Sequence, residues 1–144
     1  MARIAFCAAL YEAGRPYLPD FLAGIRAAAR GHEACLIAAI DDLVRPRYAF
    51  SDLQGEVPVE LAQAPARSSP AAVRRLMLGT ALRSGADVLV FSDMDDVLLA
   101  DAADLHLAAL EDAAFSYGDL CLMDAAGDDL HQRFYDGAGV PQAV

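Results

Sequence analysis

Apolar and polar positions along this chain alternate between two rhythms. Short runs of branched, aromatic and small apolar residues read as buried strands, and longer stretches with apolar residues three and four apart read as helices. Residues 3–8 give a first strand. Residues 16–30 predict an amphipathic helix, with Phe21, Leu22, Ile25, Ala28 and Ala29 on one side and Gly31 as its stop. Residues 33–40 form a second apolar run that ends at Asp41-Asp42. After a loop over 43–55, residues 57–61 predict a short third strand, and Pro58 assigns it to a sheet edge.

The second half continues the alternation. Ser68-Ser69-Pro70 supplies a capping hydroxyl and a first-turn proline for a helix that runs to Ser84 and closes at Gly85. Residues 87–92 predict a central buried strand around Val88-Leu89-Val90-Phe91. Asp101 is placed to cap a further helix reaching about residue 113, residues 120–123 a last strand, and residues 124–128 a hairpin turn. The βαβα order predicts an α/β fold, a mostly parallel sheet with helices on both faces. Right-handed crossovers then bring every strand's C-terminal end to one edge. With 144 residues the chain is expected to form a single domain, large enough for a proper core.

The chemistry concentrates where the predicted central strand ends, at Asp93-Met94-Asp95-Asp96. Three carboxylates cannot lie inside a buried strand, so the chain must surface there. Their mutual repulsion calls for a cation or strong donors, and a divalent metal carrying a phosphorylated ligand is the simplest relief. Asp41 and Asp42, at the end of the second strand, should share that edge, where open α/β sheets bind ligands.

Composition narrows the choices. Residues 1–83 carry 10 arginines against 8 acids, whereas residues 84–144 carry one arginine against 13 acids, and there is no lysine. A pI near 4.5 argues against a nucleic-acid partner. No apolar run approaches the roughly 18 residues of a membrane span, and the start lacks a signal peptide's architecture, so a cytoplasmic location is expected. Cys7, Cys35 and Cys121 are widely spaced in apolar stretches and read as free buried thiols. His32, His106 and His131 are isolated and read as surface or packing residues before ligands.

The order of these elements, with Leu18-Pro19-Asp20-Phe21-Leu22 opening a helix and Gly85-Ala86-Asp87 leading through a buried strand into Asp-x-Asp-Asp, resembles the nucleotide-sugar half of a GT-A glycosyltransferase, closest to the family 2 enzymes. The resemblance covers essentially the whole chain. It implies a nucleotide-diphosphate sugar as ligand, an acceptor that the sequence does not specify, and Mn²⁺ or Mg²⁺ as cofactor. Carried over, Asp93 takes the ribose or sugar side, Asp95 the metal, and Asp96 a neighbouring ligand position. Asp41, with Asp42, matches the acid that contacts the nucleoside, and residues 8–12 the loop against the base. Arg74 or Arg75 matches the family's arginine before the acidic motif, at a spacing about two residues longer than usual.

The chain departs from the family after the motif. Related enzymes take their catalytic base and acceptor pocket from a later portion, and only 48 residues follow Asp96. The acceptor portion is therefore expected to be absent, and no residue is assigned as the base. Residues 91–98 are also similar to the nucleophile motif of haloacid-dehalogenase phosphatases, with Asp93 as nucleophile and Asp95 as acid. That family needs its motif near the N-terminus, a glycine at position 96 and a later lysine, none of which this chain has. A third reading is a non-catalytic α/β interaction module whose acidic edge is merely solvated.

Overall fold

The structure, a computed structural model, describes residues 2–43, 50–53, 55–118, 120–124 and 126–133. It divides into two compact units, Met1–Asp104 and Leu105–Val144. The first unit is built on four parallel strands, β1 (Arg3–Leu10), β2 (Glu33–Ile40), β3 (Val59–Gln63) and β4 (Val88–Phe91), in the order β3-β2-β1-β4. The α/β class with a mostly parallel sheet is thus as expected.

Strand β1 explains why the sheet is parallel and covered. Its residues 4–8 are buried without a break, the pattern of a strand with both faces packed. One face joins Ala5, Cys7, Cys35, Ile37 and Ala39 to Val73, Met77 and Ala81 of helix α2 (Pro70–Ser84). The alternate residues Ile4, Phe6, Ala8 and Leu10 are no more than 1% exposed, so the opposite face is covered too. Helix α1 (Leu18–Ala28) buries Leu18, Phe21, Leu22, Ile25 and Ala28 at the spacing of one helical face.

Helix boundaries follow local chemistry. Ser69 caps α2 by accepting the Ala72 N–H at 3.2 Å, Pro70 occupies the first turn, and Gly85 ends the helix in the left-handed region at φ 74°. Helix α1 corrects the predicted start at residue 16. Residues Glu12–Tyr17 form a 3₁₀ turn and the α-helix begins only at Leu18. The reason is Pro19, which has no N–H to donate and is tolerated only in a first turn.

Two strands also sit differently from expectation. β3 starts two residues later than predicted, after Pro58, whose carbonyl still accepts the Leu36 N–H at 2.8 Å. Its edge position is as expected. β4 was expected at the centre of the sheet, fully buried. Among the described residues it pairs with β1 alone, its residues are half-buried, and Phe91 is 49% exposed. An apolar run of four residues does not distinguish a covered centre from an edge.

Helix α3 (Ala102–Ala109) begins directly after Asp101 and ends short of the predicted residue 113. Glu111 and Asp112 would oppose the negative end of its dipole there. In the second unit, β5 (Cys121–Met123) pairs antiparallel with β6 (Asp129–Arg133), a strand not expected from the sequence. The predicted turn between them is held by Asp124, whose carboxylate accepts the N–H groups of Ala126 and Asp128 at 2.8 and 3.0 Å. Cys7 and Cys35 are buried free thiols, and burial pushes the Cys7 thiol up to about 12. Cys121 is exposed, contrary to expectation.

Helix α1 is also fitted to the segment that follows the acidic motif. A Cβ on Gly24 would lie 2.8 Å from the Leu98 backbone nitrogen and 3.0 Å from its carbonyl oxygen. Helix propensity alone favours alanine over glycine by about 1 kcal/mol, but here the obstruction is backbone. Gly24→Ala is therefore expected to destabilise the fold by about 1–3 kcal/mol, the usual range for overpacking. Urea denaturation reads this out, and an unchanged or raised midpoint would show that residues 97–98 yield freely.

Candidate functional site on the carboxyl edge of the sheet

Parallel pairing gathers the ends of β1, β2 and β4 on one edge. β1 lies between the other two, so the acidic clusters after β2 and β4 flank its exit, their parent strands two spacings (about 10 Å) apart. Backbone bonds fix the junctions. The Asp41 N–H donates to the Leu10 carbonyl at 2.7 Å, and the Ser92 N–H donates to the Cys7 carbonyl at 3.1 Å. Asp42 follows with φ 65°, a left-handed conformation that aspartate tolerates better than most residues, and the chain turns there.

The acidic motif is itself a tight turn. The Asp96 N–H donates to the Asp93 carbonyl at 3.1 Å, with Met94 and Asp95 as the central residues. Met94 is fully buried, Asp93 and Asp95 are exposed, and Asp96 is half-buried. The side chains thus sort by chemistry, with one apolar anchor inside and carboxylates at the surface.

Electrostatics mark the same spot. Burial, then the charges of Asp95 and Asp93, hold the Asp96 carboxyl above its ordinary value, with the Asp93 backbone N–H opposing them. Tyr11, the first residue after β1, is half-buried. Burial raises its phenol, and Asp95, Asp93 and Asp96 raise it further, in that order. All three carboxylates therefore act on this one ring. Tyr11 is the residue that sequence reasoning undervalued. Its signal was position, at the exit of a strand whose neighbours both end in acids.

The arginines are less well integrated. Arg74 and Arg75 lie in the first half of α2, which starts at the carboxyl edge, and both are exposed. No described contact brings either to the acidic turn. Arg45 and Arg47, in the loop over 43–55, lie outside the described residues. Near the exit of β1, Arg15 forms a two-pronged ion pair with Glu12 at 2.7 and 2.9 Å, stiffening the 3₁₀ turn. Of the histidines, His32 pairs with Asp104 at 3.1 Å and His106 with Ser116 at 2.8 Å. Among the described residues no three His, Cys, Asp or Glu side chains converge into a ready-made metal cage.

No family model and no curated protein matches this sequence. Solved structures do match. The chain is similar to a crystal structure of S. aureus TarS residues 1–349, a glycosyltransferase, at TM-score 0.61 and 13% identity, over 76% of this chain and 32% of that one. Two further structures of the same protein, in complex with UDP (TM-score 0.62, 14% identity, 76% and 32% covered) and with UDP-GlcNAc (TM-score 0.61, 14% identity, 76% and 31% covered), match as well. The fold is GT-A-like. The chain spans about a third of the length of these structures.

The raised Asp96 carboxyl has a consequence for stability. Between the ordinary value of 3.8 and its raised value, the folded chain holds a proton that the unfolded chain has released. Stability attributable to Asp96 therefore falls as pH rises through that window. Asp96→Asn, which keeps the shape and removes the charge, should flatten this part of the profile and raise the melting temperature at neutral pH in the presence of chelator. The difference between wild-type and variant melting curves across pH 3–7 measures it, and a variant less stable at pH 7 would contradict the assignment.

Proposed function

We propose that this edge binds a nucleotide-diphosphate sugar, as the donor-binding part of a family 2-like glycosyltransferase. The observation that carries the reading is the juxtaposition, on one edge of a GT-A-like sheet, of the outward-facing acidic turn with the Tyr11 loop and Asp41. Asp41, with Asp42, contacts the nucleoside, and residues 8–12 lie against the base, with Tyr11 offering a stacking face. Asp93 serves the ribose or sugar side, and Arg74 or Arg75 is the candidate for a bidentate grip on phosphate.

The residues fit a divalent cation of one kind. Mg²⁺ and Mn²⁺ sites on nucleotide enzymes need only one or two protein carboxylates, with phosphate oxygens and water completing the shell. Exposed Asp95 and Asp93, with Asp96 beside them, meet that requirement without a closed cage. When bound, the ion would stabilise charge developing on the departing diphosphate. The residues around it hold the donor in place, and the acceptor and the base that activates it are left to other parts of the enzyme. Among the described residues no helix is long and apolar enough to cross a membrane.

The exposure of Asp93 and Asp95, with no ready-made cage among the described residues, is the observation that favours the competing reading, an interaction module with a solvated acidic edge. Calorimetry with UDP, GDP, CDP and dTDP, with and without Mn²⁺, separates the two. The donor reading expects one nucleotide to bind with Mn²⁺ and at least tenfold more weakly without it. Asp95→Ala should abolish the metal-dependent part and leave circular dichroism unchanged, because Asp95 is exposed. Absence of heat with all four nucleotides would leave the module standing.

A further inference from the structure

The middle residue of the acidic motif is the least expected part of the site. Met94 stands between two exposed aspartates in a surface turn, yet it is 0% exposed. Its thioether sulfur accepts the Tyr11 backbone N–H at 3.3 Å, across 83 residues of sequence. That N–H belongs to the first residue after β1, next to the junction where the Leu10 carbonyl accepts the Asp41 N–H. A sulfur acceptor is weak, but it answers a half-buried donor that would otherwise be costly to leave alone.

The other wall of this pocket is Gly14. A Cβ there would lie 2.7 Å from Met94 Cγ, closer still to the sulfur, and 3.0 Å from Tyr11 Cε2. Gly14 is buried, and its N–H donates to the Tyr11 carbonyl at 3.2 Å, closing the turn around the methionine. Tyr11 thus has its N–H on Met94, its carbonyl on Gly14 and its ring edge near the space that Gly14 leaves open. The flexible thioether suits so irregular a space.

We propose that Met94 is a positioning residue, a plug that ties the acidic turn to the Tyr11 loop so that the two sides of the ligand site are set as one unit. The reading rests on the proposed donor site for its functional meaning, but the mechanical link can be measured without any ligand. Withdrawing the plug frees the Tyr11 N–H and lets Asp93 and Asp95 drift relative to the loop. Neither acid is held by burial, so beyond the Ser92 backbone bond to Cys7 the turn is anchored by its one buried side chain.

The test uses the full chain with Met94→Ala, Met94→Leu and Gly14→Ala, and two readouts. Hydrogen exchange at the Tyr11 amide, without ligand, reports the link. Calorimetry with Mn²⁺ and UDP reports its effect on the site. Met94→Ala should accelerate Tyr11 exchange at least tenfold and weaken Mn²⁺–UDP binding at least tenfold, with circular dichroism retained. Met94→Leu keeps the volume and loses the acceptor, so it should accelerate exchange while restoring affinity to within about threefold. Gly14→Ala attacks the same contact from the opposite wall and should resemble Met94→Ala, which keeps the test open if that variant fails to fold. Unchanged Tyr11 exchange in both Met94 variants would overturn the proposal. So would a loss of affinity in Met94→Leu equal to that in Met94→Ala, or unaltered binding in Met94→Ala. If wild-type protein binds no Mn²⁺–UDP while Tyr11 exchange responds as described, the donor reading fails and the plug stands as a structural link alone.

Discussion

The parallel pairing of β1 with both β2 and β4 is the constraint from which the site follows. β1 is matched to β2 over eight residues and to β4 over four. With its residues 4–8 buried on alternating faces, a slip of one residue would exchange the two packed faces. Register is therefore fixed by burial, and fixed register decides which residues emerge together. Leu10 and Ile40 end side by side, and Phe91 stops level with Cys7, leaving room for the acidic turn to fold back over the exit of β1. The chemistry at the edge is a consequence of the core beneath it.

The edge must then accommodate negative charge in a confined space. The turn does this by dividing its residues. Asp93 and Asp95 stay in water, where repulsion is screened, and Met94 alone goes inward. Asp96 is the compromise, half-buried and relieved in part by the Asp93 N–H, and its raised proton affinity shows that the relief is incomplete. A motif with all three acids inward would face a desolvation cost that no described cation side chain offsets.

Legibility in the sequence tracked punctuation. β2 was read to the residue because a turn and paired aspartates bound it, and α2 because Ser69, Pro70 and Gly85 mark both ends. Where two prolines competed, at 16 and 19, the later one decides, because its missing N–H confines it to a first turn, and a start at residue 16 passes over that signal. The centrality of β4 was misjudged because an apolar run reports hydrophobicity without reporting neighbours. The acidic turn was legible as three carboxylates after a strand. The inward methionine was not, because its place depends on Tyr11 and Gly14, at least 80 residues away. One signal was available: the sole apolar residue of a four-residue polar turn must either be exposed or find a pocket.

The open arrangement of the acids also bears on what kind of binding this edge can support. A closed cage of carboxylates would store repulsion in the folded protein whenever the cation was absent, and folding stability is too small to carry several such charges unaided. Leaving the shell to be completed by ligand oxygens moves that requirement to the moment of binding. If the edge binds the proposed donor, cation and diphosphate should each bind weakly alone and favourably together, since each neutralises what the other leaves exposed. On the proposed donor reading, such cooperation demands that the acidic turn and the Tyr11 loop hold their spacing before either partner arrives. In this fold that spacing is set by the common strand β1 below and by the buried thioether between them.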